Sequence, residues 1–445
     1  MSLVSPFDQK TDSPGAGRAG FIFFGWYIVA AGVLIQALGY GGRYCFSVFF
    51  PTLIAEFDWP RDLTASIYST HLLCYGLTAT VAGDLVDRIG PRKTMLTGTG
   101  LFFLGLILSH WASRPWHFYL SFGLLAGIGL CLLGAVPLTV IIRNWFERRR
   151  GAAMSVLFLG SGVAYAFFPA VSWLIDHLGW RAAFLVEGVV IAGVLGPLIS
   201  WFMVYHPSHR GLVRDGLTEQ SQGSPILVRE ARRVLDQAWA AREWTLADAI
   251  RTGRFWLLCL MAFCTWGVSQ NLLTTHQIAF AMDVGYSRLY ASAVISLNGW
   301  FFSVGCLFGM ISDRIGREPT MTIGASLAVS GIVVLTLIQD ATQPWMLYYY
   351  AVSTGLGFGL CAPTIAATIT DLFQGPRVGS TVGFVWFCFA LGGTVGPWLG
   401  GWLFELAGNY LVAFTVAGLT YVLGCFAVWL AGPRKVRLVP GRVKG

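Results

Sequence analysis

The sequence predicts an all-α membrane protein of twelve transmembrane helices in two pseudo-symmetric six-helix halves. Three observations carry that prediction. The 445 residues are 55% hydrophobic and only 12% charged, with a mean hydropathy of +0.64, far more apolar than a water-soluble domain. Apolar runs of about 20 residues, the length that spans a bilayer core, recur between short charged or Gly/Pro-rich breaks. The second half of the chain also repeats landmarks of the first.

In order, the runs occupy residues 24–50, 64–86, 94–112, 117–142, 152–175 and 182–204, then 255–282, 290–311, 320–338, 345–370, 379–404 and 410–431. The first twenty residues are polar and acid-bearing. No small-residue cleavage site follows a short apolar core, so a cleaved signal peptide is not expected. Between 202 and 254 the hydropathy collapses. The expected division is an N-terminal half with a short tail (1–204), a linker (205–253) and a C-terminal half with a basic tail (254–445). Linker residues 226–251 admit two readings: a basic amphipathic helix on the membrane surface, or a solvated segment joining the halves.

A net charge of +8 would suggest nucleic acid for a soluble protein, but here its distribution decides. A cytoplasmic N-terminus puts Lys10, Arg18, Arg88, Arg92, Lys93, Arg143, Arg148, Arg149, Arg150, Arg314, Arg317, Arg377, the linker and the tail inside. Only Arg61, Arg114, Arg181 and Arg288 remain outside, as the positive-inside rule demands. Both termini are then cytoplasmic and no nucleic-acid partner is expected. All nine cysteines fall within the runs and none forms a CxxC, which argues against disulfides and thiolate metal sites.

The repeat is explicit. GDLVDRIGPRK at 83–93 returns as GMISDRIGREP at 309–319, and NWFERRRGAAMS from Asn144 has its counterpart in DLFQGPRVGSTV from Asp371. Gly83 and Gly309 suit close helix approach, while Gly90 and Gly316 suit a turn with positive φ. Asp87 with Arg88 and Arg92, and Asp313 with Arg314 and Arg317, are expected to form a cytoplasmic gate that latches the halves. The blander reading is a loop that obeys the positive-inside rule. In GGTVGPWLGGWL, Gly392, Gly396 and Gly400 share one helical face open to a neighbouring backbone, and Pro397 adds a kink.

GYGGRYCFSVFF places Arg43 alone, the one charged residue between Arg18 and Glu56. Gln36, Tyr40, Arg43 and Ser47 follow steps of four, three and four, making one polar stripe. On a water-filled cavity the guanidinium would fork a carboxylate. The alternative is a side chain snorkelling to the nearer interface. The candidate substrate-binding residues are Arg43, Tyr40, Gln36, Tyr75, Asn271 and Asn298. His276, and His71 on a face with Tyr68 and Tyr75, are candidates for proton coupling because histidine titrates in the required range, against a packing role. Their spacing is not that of a zinc site. Apart from Asp371 at an end, no acid lies in runs one, four, seven or ten, which speaks against an acid-centred cation site. Glu187 in run six is given no role. With no GxxxxGK[ST], HExxH or GxSxG pattern, neither an enzyme nor a cofactor is expected.

The parallel repeat of two six-helix halves resembles the plan of the major facilitator superfamily over nearly the whole chain, and the doubled GxLxDRxGxRK loop is similar to that superfamily's signature. Within it the chain resembles the bacterial monocarboxylate and oxalate:formate transporter group. FGWYIVAAG at Phe24, YGGRYCFSVFFPTLIAEFDW, NWFERRRGAAMSVLFLGSG followed by LGWRAAFLVEG, and THQIAFAMDVGYS around His276 carry that likeness. It implies a monomeric, alternating-access secondary transporter of the bacterial inner membrane, moving a small organic anion in symport with a proton. Arg43 stands near the basic residue that many members carry in helix one. The arginine of helix eight or lysine of helix eleven found in well-known members has no counterpart between Arg288 and Asp313 or between Arg377 and Glu405. The alternative is a drug-efflux type exporter of neutral or amphipathic compounds, whose antiporter motif GGTVGPWLGGWL resembles. Here that string lies in run eleven rather than five, and run four lacks the arginine those families tend to carry.

Overall fold

The computed structural model describes residues 23–147, 149–213, 215, 234–374 and 378–439. Among them, nine continuous helical stretches are long and apolar enough to cross a membrane. The longest, Gly151–Phe202, breaks at Gly179, where φ is 80°, a conformation that favours glycine. Arg61–Ile89, charged at both ends, and Pro91–His110, charged at one, are also of spanning length. Counting the break as two rods and adding these two gives twelve. They are α1 (Phe24–Phe57), α2 (Arg61–Ile89), α3 (Pro91–His110), α4 (Pro115–Trp145), α5 (151–178) and α6 (180–202), then α7 (Gly253–Asp283), α8 (Arg288–Ile315), α9 (Arg317–Leu337), α10 (Pro344–Leu372), α11 (Gly379–Ala407) and α12 (Leu411–Ala431). Residues 203–252 join the two sets of six at what is called here the linker end. The opposite side, carrying Arg61, Asp283 and Arg288, is the far end.

The halves meet where side chains are small. A β-carbon on Gly162 or Gly299 would collide with the backbone of the other, joining α5 to α8, and Gly76 faces Ala390 between α2 and α11. On α11 the predicted glycine face lies against α7: Gly392 against Phe263 and Gly267, Gly396 against Val268, and Gly400 against His276. Gly401 turns instead to α2, and Gly393 lies between Leu72 of α2 and Asn271 of α7. A β-carbon on Gly396 would lie 2.5 Å from the Val268 carbonyl oxygen and 3.0 Å from its Cα, atoms that cannot step aside. Gly396→Ala is therefore expected to destabilise the fold by about 1–3 kcal/mol. Gly383→Ala on the same helix, where nothing lies within 4 Å, is expected to be neutral or slightly stabilising. Melting temperatures of the two purified variants in detergent check the contrast, and equal values would refute it.

The linker corrects one expectation. Residues 226–233 lie outside the described residues, and 234–251 form no continuous amphipathic helix. Asp236 caps one short turn (Gln237–Ala240) and Thr245 a second (Leu246–Ala249), each side-chain oxygen accepting a first-turn N–H that the backbone leaves unpaired. The apolar side chains turn toward the protein rather than lipid. Trp239 Nε1 donates to the Leu372 carbonyl at 2.7 Å, and both Trp239 and Trp244 pack on Phe373. Val234 bridges to Arg437 of the C-terminal segment. The N-terminal tail and residues 440–445 of the basic tail lie outside the described residues. The nine cysteines are all free thiols, buried except for half-buried Cys74.

Candidate functional site

Glycines make room for Arg43. On α1, Gly39 faces Leu130, Gly41 faces Phe167 and Gly42 faces Phe102, so α3, α4 and α5 close in around that turn of helix. Arg43 is 3% exposed. Its Nε donates to the Tyr68 hydroxyl at 3.2 Å, and its guanidinium carbon lies 4.7, 5.3 and 5.9 Å from the ring centres of Tyr44, Tyr40 and Tyr68. No carboxylate pairs with it among the described residues.

Snorkelling is ruled out by geometry. The helix does not end at Pro51 but runs on to Phe57, leaving Arg43 about 21 Å from its far end. Phe46, Phe49 and Phe50, all fully buried, fill the intervening space with Phe122 and Phe184. Toward the linker end the surroundings differ. Tyr40 and Tyr75 are only half-buried, and their hydroxyls are 3.5 Å apart.

The other candidates divide. Tyr40 and Tyr75 join Arg43. Gln36 accepts a hydrogen bond from Ser161 at 3.2 Å, and Asn298 donates to Thr354 at 2.7 Å, so each is engaged with another helix. Asn271 donates to the Trp266 and Gly267 carbonyls at 2.7 and 3.1 Å. The reason is local: residues Phe263–Gln270 are wound as a π-helix, which loosens the usual carbonyl pairing and is frequent at functional sites. Sequence reasoning missed Tyr44, Tyr165 and Thr274. Tyr44 packs on Tyr165 at 4.9 Å, and the Tyr165 hydroxyl meets Thr274 of the other half at 3.1 Å. Tyr44 follows Tyr40 by four residues and stacks on it at 5.8 Å, so the helical period by itself places it on the Arg43 face.

The two histidines are fully buried. His71 Nδ1 lies 2.9 Å from the Phe122 carbonyl oxygen. A carbonyl only accepts, so Nδ1 carries the proton. Its Nε2 has no partner. His276 Nε2 lies 2.8 Å from the Pro397 carbonyl and its Nδ1 3.1 Å from the Tyr410 hydroxyl. By the same logic Nε2 is protonated and Nδ1 accepts from Tyr410.

Tyr410 leads outward. Its oxygen accepts from Arg61 Nη1 at 2.7 Å, and Arg61 also forks Asp283 at 2.7 and 2.9 Å while its backbone N–H donates to Glu405 at 2.8 Å. One residue of α2 thus reaches the ends of α7 and α12 through its side chain and that of α11 through its backbone. A second crossing pair joins Arg288 of α8 to Asp176 of α5 at 2.6 Å, beside a Ser172–Ser292 contact. Sequence reasoning counted Arg61 and Arg288 only as outside residues. No sequence signal joins residues so far apart in the chain.

At the linker end the expected latch is not formed. Arg317 pairs with Asp313 at 2.7 Å and with Asp371 at 2.8 Å, all within one half. Arg314, Asp87, Arg88 and Arg92 are exposed, and the last three pair with nothing among the described residues. Gly83 has no neighbour within 4 Å, whereas Gly309 faces Pro363. Gly90 and Gly316 do adopt positive φ, 83° and 114°. Arg148 and Arg377 lie outside the described residues. Among the described residues the ion pairs between the halves lie at the far end and none lies at the linker end, where Leu77 and Val81 are exposed just past the Gly76–Ala390 contact.

Comparison with known proteins gives one family. The Major Facilitator Superfamily model matches residues 32–352 and 305–445. Monocarboxylate transporter 13 of Bos taurus is 26% identical over 403 residues, covering 90% of this chain and 88% of its own length. Monocarboxylate transporters 11 and 2 of Homo sapiens are each 26% identical, over 419 and 417 residues, covering 92% of this chain and 83% and 84% of theirs. These relatives are animal proteins, whereas the motif likeness pointed to bacterial members.

Proposed function

The chain belongs to the major facilitator superfamily, and from that premise we propose that this transporter carries a monocarboxylate by alternating access, with Arg43 as the carboxylate's anchor and a proton as its companion. One observation carries the reading: a permanently charged guanidinium sits deep in a membrane-spanning fold, ringed by tyrosines and matched by no acid among the described residues. Burying an unpaired charge is costly, and an anionic substrate supplies the missing partner. Tyr40 and Tyr75 flank the approach from the linker end. A single cationic anchor suits a monoanion. The positive-inside pattern puts the linker end in the cytoplasm, so this conformation is inward-facing. By the same reading the protein works as a monomer in a bacterial inner membrane, with 1–204 and 254–445 as the rocking halves and 205–253 as the tether.

Proton coupling follows from His276. A proton added at Nδ1 removes the acceptor that the Tyr410 hydroxyl uses and sets two cationic donors, His276 and Arg61, against one phenol oxygen. Protonation thereby loosens the far-end clasp, and the added charge offsets that of the anion. His276→Gln is expected to keep carboxylate exchange while cutting uptake driven by a pH gradient about tenfold, measured in proteoliposomes. Undiminished pH-driven uptake would remove His276 from the mechanism.

The test of the substrate class is thermal stabilisation of the purified protein by monocarboxylates, dicarboxylates, sugars and lipophilic cations. At a hundred times its dissociation constant a ligand adds about 2.7 kcal/mol to the folded state. Stabilisation by monocarboxylates supports the proposal. Stabilisation by lipophilic cations or neutral compounds alone turns it to the exporter.

A further inference from the structure

Leu72 of α2, Asn271 of α7 and Gly393 of α11 meet at one point: a β-carbon on Gly393 would lie 3.1 Å from Leu72 and 3.2 Å from Asn271. About one turn toward the linker end of this junction, each helix presents an aromatic side chain: Tyr75 on α2, Trp266 on α7 and Phe389 on α11. Tyr75 reaches Tyr40 and so the Arg43 cluster. The other two belong to a second group. Trp266 lies 5.3 Å from Trp386 and 6.3 Å from Phe389, and Trp386 lies 5.5 Å from Phe389.

The direction of this group is set by α11. Trp386, Ala390, Gly393 and Pro397 follow steps of four, three and four, so they share one face. Ala390 and Gly393 are the residues that meet α2, and the glycines meeting α7 flank them. Trp386 therefore points between α2 and α7, away from the lipid-side residues Leu391, Val395 and Trp398. Trp386 and Phe389, within the first three turns of α11 from the linker end, are half-buried like Tyr40 and Tyr75. Trp266 is 9% exposed and its buried indole N–H has no acceptor.

We propose that the acid carried by this protein bears a flat aromatic body, its carboxylate on Arg43 and its ring among Trp266, Trp386 and Phe389. The inference rests on the monocarboxylate reading and narrows it. Offset and edge-to-face contacts with three rings favour a planar π-system over a short aliphatic chain. The charged anchor, bonded to Tyr68 one turn to the far side of Leu72, and the apolar box, one turn to the linker side of the junction, stand in opposite halves with Tyr40 and Tyr75 between them. Binding such a molecule bridges the halves from within.

The experiment compares acetate, lactate, benzoate, indole-3-acetate and benzamide as ligands of the intact purified protein, by calorimetry, with Trp386→Leu and Phe389→Leu alongside. The expected result is that the two aromatic acids bind at least tenfold more tightly than acetate or lactate, that benzamide binds weakly, and that each leucine variant lowers aromatic-acid affinity about tenfold while leaving acetate affinity unchanged. The wild-type series stands even where a variant folds poorly. Equal affinity for aromatic and aliphatic acids overturns the aromatic body and leaves the monocarboxylate reading intact. Tight binding of benzamide, or of no carboxylate at all, overturns both.

Discussion

Replacing Arg43 with glutamine is expected to lower affinity for the carboxylate about a hundredfold while leaving the ligand-free protein as stable as before, or more so. A hundredfold is about 2.7 kcal/mol, within the range for hydrogen bonds that involve a charged group. The stability of the empty protein follows from what surrounds the side chain. Among the described residues Arg43 makes one hydrogen bond, to Tyr68, and meets no carboxylate, so its removal breaks no ion pair there and relieves a buried charge. Arg43→Lys keeps the charge but gives up the planar fork and its contact with the tyrosine rings, and is expected to fall between wild type and glutamine. Titration calorimetry measures the affinities and a thermal melt the stability. A glutamine variant that binds carboxylates as wild type does would take the anchor away from Arg43, and one that unfolds would make the residue structural.

The second large effect is expected at the far end. Arg61→Ala removes the side chain that ties α2 to Asp283 of α7 and Tyr410 of α12. Arg61 is 16% exposed but Asp283 is 38% exposed, so the ion pair is partly screened and its worth lies below that of a buried one. A loss of about 1.4 kcal/mol from the closed arrangement is a tenfold rise in the population open to that side. The readout is a cysteine placed at Thr275, buried beside His276, in protein lacking its native cysteines. An impermeant thiol reagent applied from the far side is expected to react about tenfold faster in the Arg61→Ala background. Raising the salt to 1 M, where the screening length is about 3 Å, is expected to shift wild type in the same direction. Exchanging the two residues, Arg61→Asp with Asp283→Arg, is expected to slow the reaction again. Labelling rates untouched by all three changes would show that the far end is held by its apolar packing alone.

The loop signatures and the glycine face of α11 were legible because they are local. Gly90 and Gly316 sit where a turn needs positive φ, and Gly392, Gly396 and Gly400 recur at helical spacing wherever the partner helix lies. Arg43 was legible for the same reason, as a charge inside an apolar run. Its tyrosine box was only half legible. Tyr40 and Tyr44 lie on Arg43's own helical face, but Tyr68 comes from α2, and Tyr165 is brought to Tyr44 by the packing of α5 on α1. The linker misled. Interleaved arginines and tryptophans fit a surface helix equally well, and only Phe373 and the C-terminal segment decide which way the tryptophans turn.

By itself the sequence determined that this chain crosses a membrane in two repeated halves and that it holds one uncompensated cation within them, because hydrophobic run length, loop charge and helical period are properties of neighbouring residues. Only the tertiary structure decided which end of the molecule is clasped. The expected gate residues near Asp87 stand apart, while Arg61, hundreds of positions from Glu405 and Tyr410, closes the far end. A contact of that kind depends on how the two halves pack against each other, which no run of neighbouring residues specifies.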